Sequence, residues 1–147
     1  MMSYKQLAVD YSFLKKLQTL DWQTIRHHLL NSDEGRDLTR AQAARAIWQY
    51  GLFLLLAQKY PGMRLVPTKE IDAVLHAHIA TAQQYQDDCQ TLFCGVVHHS
   101  AGLGTRGDRA EWLEAFDRTK QLFEKTFGRG AMGHSVPAAC DILLAFN

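Results

Sequence analysis

The stretch from Thr39 to Lys59 limits the folds open to this chain more than any other. Thr39 followed by Gln42 has the spacing of a capping box, in which each side chain satisfies a free backbone N–H at the start of a helix. Through Ile47, Trp48, Leu52, Leu55 and Leu56 the helix is apolar, and at Leu52-Phe53-Leu54-Leu55-Leu56 it is apolar nearly all round. A helix with no polar face has to be surrounded by other elements. Gly51 within it predicts close approach by a neighbour. Tyr60-Pro61-Gly62 ends it, so the rest of the chain must supply the cover.

That cover reads as further helices. Ser3 is placed to cap a first one, with Leu7, Tyr11, Leu14 and Leu17 as its apolar stripe. Asp21 caps a short second helix carrying Ile25, Leu29 and Leu30, with His27 and His28 on its surface. Asn31 to Asp37 is polar, contains Gly35 and forms a loop. Met63 to Pro67 is extended, because Val66 precedes a proline, and Thr68 caps the next helix. Thr81 with Gln84 has capping-box spacing, which predicts a break near Ala80 and a new helix from Ala82 to about Phe93. Gly95 stops it, and Val96-Val97-His98-His99 continues as a short extended or turn segment. Ser100 to Gly107 is a glycine-rich loop without the context of a phosphate-binding loop.

Asp108 with Glu111 then opens a last helix, striped by Trp112, Phe116, Thr119, Phe123 and Phe127 and stopped by Gly128. The apolar ending Ile142-Leu143-Leu144-Ala145-Phe146 is expected to tuck against the body. No strand pair is evident in this pattern. The expected class is all-α: one domain spanning residues 1–147, a compact bundle of about six helices with one glycine-rich loop.

A composition of 47% apolar and 21% charged residues fits an ordinary globular protein of a size that buries a core. A net charge of +1 argues against nucleic-acid or membrane-surface binding, which need a concentrated basic face. The longest apolar run, Leu52 to Ala57, is far short of the roughly 20 residues that span a bilayer. The N-terminus has no signal-like run, and three cysteines suggest no disulfide framework, so a reducing cytoplasm is the expected location.

Chemistry concentrates between Pro67 and His99, which holds four of the seven histidines and two of the three cysteines. Histidine, thiolate and carboxylate are the ligands of zinc and iron. At ~100° per residue, Asp72 and His76 share a flank of their helix and can touch, as at a carboxylate-oriented histidine. His76 and His78 stand about 200° apart, too far round an undistorted helix to share one ion. His78 instead falls in the middle of the apolar face, where it is either a ligand or a buried hydrogen-bonded histidine. On the following helix Tyr85 and Cys89 share an inward face. One of His98 and His99 can turn inward after the helix stop.

These residues carry a resemblance. The run Leu65-Val66-Pro67-Thr68, Ile71-Asp72, Leu75-His76-Ala77-His78-Ile79, then Tyr85, Asp88-Cys89, Leu92-Phe93 and His98-His99 is similar to the glycine-rich domain-containing protein-like family, which is largely uncharacterised. Trp48, Phe53-Leu54, Ala57 and Tyr60-Pro61 also fit it, as does the ending Phe123 to Phe127-Gly128, so the likeness spans about residues 45–128. It implies a polar set of Asp72, His76, His78, Tyr85, Cys89 and His98 or His99, and no mechanism. The chain departs from it at Leu75, where members often carry Trp, and at Ser100-Ala101-Gly102, where they carry aromatic residues. Both changes remove bulk beside the expected site.

Two functions follow as expectations. In the first, His76, Cys89 and one of His98 and His99 hold zinc or iron with an open position. Asp72 serves as orienter or proton acceptor and Tyr85 as hydrogen-bond donor, in a hydrolase or oxidoreductase acting on a small molecule. In the second, the cluster is a closed structural metal site, completed by His78 or Cys140, or a buried hydrogen-bond network in a non-catalytic binding scaffold.

Overall fold

The computed structural model describes residues 4–146, so Ser3, the expected cap of the first helix, lies outside the described residues. Six helices are present among them: α1 (Tyr4–Gln18), α2 (Trp22–Leu30), α3 (Arg40–Lys59), α4 (Lys69–Ile79), α5 (Gln83–Phe93) and α6 (Arg109–Phe127). Two strands, β1 (Val96–Ala101) and β2 (Cys140–Ala145), join them, which corrects the all-α expectation.

Helix α3 is the centre, touching α1, α2, α4, α6 and β2. Its Thr39–Gln42 capping box is formed on both sides. Tyr50, Phe53 and Leu56 are fully buried, whereas Trp48 turns outward and is 58% exposed. Gly51 is not a close-approach point, since a Cβ there would meet nothing nearer than Leu17 at 4.0 Å. On α1 the buried residues are Phe13 and Leu17 rather than the expected Tyr11 and Leu14, which face solvent; the side chain of Leu7 lies outside the description.

The break between α4 and α5 falls at the expected place by a different device. Thr81 turns back to donate to the His78 carbonyl, and the residue before α5 is Ala82 at φ 54°, with no side-chain cap. Asp108 likewise does not cap α6. Its carboxylate accepts from the backbone N–H groups of Gly104 and Arg106 and so ties the glycine-rich loop.

The strands are what the helical reading missed. β1 and β2 pair antiparallel, with His99 opposite Ile142 and Ala101 opposite Cys140. The other edge of β2 is taken by the extended segment after α3: Leu65 and Ile142 exchange both backbone hydrogen bonds, and Gly62 donates to Leu144. Further on, Ala138 donates to the Pro67 carbonyl and Lys69 to that of Val136. The apolar tail is therefore a middle strand, and it delivers Cys140 to the start of α4.

Candidate metal centre

Each member of the site is placed by an elementary periodicity. Thr68 caps α4 through its side chain, accepting from the Ile71 N–H, and one turn into the helix Asp72 points inward, 5% exposed. His76 follows four residues later on the same flank, as a helix requires. In the ribbon, residues facing each other across an antiparallel pair share a side. His99 faces Ile142, and Cys140 is two residues from Ile142, so His99 and Cys140 are diagonal neighbours on one side. His98 falls on the other side by the same alternation and is exposed.

The outcome is a quartet. One ligand atom from each of Asp72, His76, His99 and Cys140 lies within 4.8 Å of every other, and this cluster could hold a metal ion. His76 Nε2 is 3.4 Å from Asp72 Oδ2 and 3.8 Å from Cys140 Sγ. A tetrahedral ion with bonds of about 2.0–2.3 Å sets its ligand atoms about 3.3–3.8 Å apart. The second nitrogen of His76 is engaged too: Nδ1 is 2.6 Å from Glu34 Oε1, which orients the ring with Nε2 toward the quartet. Asp72 Oδ1 is buried with no hydrogen-bond partner, a cost the fold carries unless something binds there.

Without an ion, burial shifts the titration of three members of the site toward their neutral forms. Burial first, then the neighbouring Glu34, raises the Asp72 pKa above the usual carboxylate value. Burial, with the Asp72 carboxylate nearby, pushes the Cys140 thiol up to about 12. Burial lowers His99, favouring the neutral ring that coordinates metals. A divalent cation reverses the logic for the acids, because it stabilises the carboxylate and thiolate directly. Behind Cys140, Arg64 Nε donates to the buried Asp141 at 2.6 Å, so the next residue in β2 is already paired.

A cavity of about 380 Å³ adjoins the quartet, lined by Glu34, Lys69, Asp72, Ala138 and Ala139. Asp72 belongs to both.

The remaining expected residues form a second assembly on the other flank of α4. His78 is 1% exposed; its Nδ1 accepts from the Tyr50 hydroxyl and its Nε2 donates to Asp88 Oδ2, each at 2.7 Å. Burial lowers the His78 pKa against the opposing pull of Asp88, which keeps the ring neutral and sets this tautomer. Tyr85 packs edge-on against His78 with ring centres 4.8 Å apart, and its partner is Cys89, whose thiol burial pushes up to about 11. Of the expected site residues, then, Asp72, His76 and His99 come together, while His78, Tyr85 and Cys89 do not join them. The sequence reading named Cys140 only as one way to complete a closed site and did not name Glu34 at all. The run Cys140-Asp141-Ile142-Leu143-Leu144 held a strand signal for Cys140; Glu34, 42 residues from its partner, carried none.

Comparison with family models, with curated proteins and with solved structures finds no match. Among the described residues, no helix is long and apolar enough to cross a membrane.

Proposed function

We propose that this protein is a metal-dependent enzyme in which Asp72, His76, His99 and Cys140 hold a zinc ion that serves a hydrolytic reaction on a small molecule. The observation that carries the reading is the convergence of these four donors from α4, β1 and β2, and the second carboxylate oxygen of Asp72, Oδ1, is buried without a hydrogen-bond partner. A thiolate beside two imidazoles favours zinc, and zinc in such a setting supplies a Lewis acid and a nucleophilic water near neutral pH. The cavity bordered by Asp72 supports a catalytic over a purely structural ion, because a ligand entering it arrives at one of the four donors. In this arrangement His76, His99 and Cys140 anchor the ion. Asp72 is the fourth donor or, released, the proton acceptor, and Glu34 positions His76. The overlap of Asp72, His76 and His99 with the set implied by the glycine-rich domain-containing protein-like resemblance is in keeping with the proposal.

A closed structural site is the second reading, favoured by the count of four protein donors, the number that structural zinc sites use. Iron held by His76, His99 and Asp72 would match the facial arrangement of two histidines and one carboxylate used by oxygenases. Elemental analysis and cobalt substitution decide among them. The expected result is one zinc per chain, and a cobalt form whose thiolate-to-metal charge-transfer band disappears in Cys140→Ser. Absence of stoichiometric metal after reconstitution overturns the proposal. A melting temperature that collapses on chelation, with no ligand response from the cobalt form, moves it to the structural reading.

A further inference from the structure

We infer that the free edge of β1 pairs antiparallel with the same edge of a second copy of this chain, across a twofold axis at His99. The inference needs no ion and goes beyond the metal reading. Leu65 and Ile142 exchange both backbone hydrogen bonds, and Gly62 donates to Leu144, so Ile142 and Leu144 turn their backbone groups away from β1. In an antiparallel pair the direction alternates residue by residue. Asp141, Leu143 and Ala145 therefore face β1, where Ser100, His98 and Val96 stand opposite them. Val97, His99 and Ala101 are left pointing their N–H and C=O groups outward. Among the described residues no other segment bonds to them, so the ribbon ends at β1.

The chemistry of that edge names its partner. N–H and C=O groups repeating at every second residue are matched by another extended backbone. Monomers blunt such edges with lysine, proline or a bulge. The strand Val96-Val97-His98-His99-Ser100-Ala101 has neither residue and pairs without a bulge, and His98, Ser100 and Ala101 are exposed. The edge is also its own complement. With His99 opposite the partner's His99, Val97 falls opposite the partner's Ala101 and His98 opposite the partner's Ser100. Each outward residue then exchanges both backbone bonds with its mate, a large side chain meets a small one, and no lysine, arginine or acid is brought against its like. Facing residues share a side of a sheet, so the two His99 rings stand together and the two quartets flank one axis.

The test is sedimentation equilibrium of the full chain from about 1 µM to about 1 mM, because a pairing this short buries less than a standard interface and associates weakly. A monomer–dimer equilibrium is expected, with amide exchange at Val97, His99 and Ala101 slowing as the dimer population rises. His98 and Ser100 are exposed, so replacing both should leave the melting curve of the monomer unchanged. His98→Lys with Ser100→Lys sets lysine against lysine in this register, and association should weaken at least tenfold. His98→Glu with Ser100→Glu should do the same. Mixed, the two double variants should form a heterodimer at least as tight as the native dimer. A wild-type chain that stays monomeric throughout overturns the inference. So does a dimer that either double variant leaves intact, which places the interface elsewhere, or a mixture that stays monomeric.

Discussion

His76 and Asp72 meet through Nε2 and Oδ2 at 3.4 Å, while the other nitrogen of the same ring is held by Glu34 at 2.6 Å. The imidazole is thus aimed before any ion arrives, and the aiming comes from a loop remote in sequence. Glu34→Gln keeps a hydrogen-bond acceptor but loses the charge that makes Nε2 a strong donor. Metal affinity is expected to fall about 10–100-fold with stoichiometry retained. Competition with a chromophoric chelator measures it. An unchanged affinity would show that Glu34 is a bystander.

Gly35 supports that loop. A Cβ at this position would lie 2.2 Å from the Leu29 carbonyl oxygen, a backbone atom that cannot swing away. Gly35→Ala should therefore cost about 1–3 kcal/mol in urea unfolding and, by displacing Glu34, weaken metal binding in the same direction as Glu34→Gln. Stability lost with metal affinity intact would separate the loop from the site.

Binding a cation at the quartet must displace the proton that Cys140 holds at neutral pH, since its thiol sits at about 12 in the ion-free fold. Affinity for zinc is expected to rise close to tenfold per pH unit between about 6 and 8, with calorimetry in buffers of different ionisation heat counting at least one proton released. A pH-independent affinity would place the ion elsewhere.

The ion-free protein should also lose stability at alkaline pH. In the unfolded chain the Cys140 thiol ionises near 9, while in the fold it keeps its proton to about 12. Between these values the native state binds more protons, so unfolding free energy falls as pH rises. Cys140→Ser should flatten that slope. At the acid end the sign is opposite. His78 is lowered below 6.5 in the fold, so the unfolded chain takes up its proton first and stability falls as pH drops through about 6.5. His99 adds to the same slope, and His99→Gln separates the two.

Tyr50→Phe addresses the second assembly alone. It leaves Nδ1 of the buried His78 ring without its donor, at a cost of about 1–3 kcal/mol in denaturant unfolding. Metal content should be unchanged, because the hydrogen bond and ring contacts of Tyr50 go to His78 and Trp22.

Local chemistry was legible wherever it stayed within a few residues. Thr39 with Gln42, Thr68 and Asp21 cap the helices they were expected to cap, and Asp72 meets His76 at the helical spacing. Thr81 and Asp108 had equally good cap spacings but bond elsewhere, because a carbonyl and a glycine-rich loop offered partners that spacing does not reveal. Cys89 was favoured over Cys140 because it shares the histidine-rich stretch, yet sequence proximity is no guide when a strand from the end of the chain supplies the donor.

By itself the sequence determined the helices, the burial of α3 and the one pair of ligands that lies four residues apart on α4. Helical periodicity is a local property, so it can be read residue by residue. Only the tertiary structure decided that the apolar tail is a middle strand and that its register sets Cys140 diagonal to His99. It also decided that the loop bearing Glu34 closes on His76. Those choices are made by backbone hydrogen bonds between residues up to about 80 positions apart, such as Leu65 with Ile142, and no local pattern carries them.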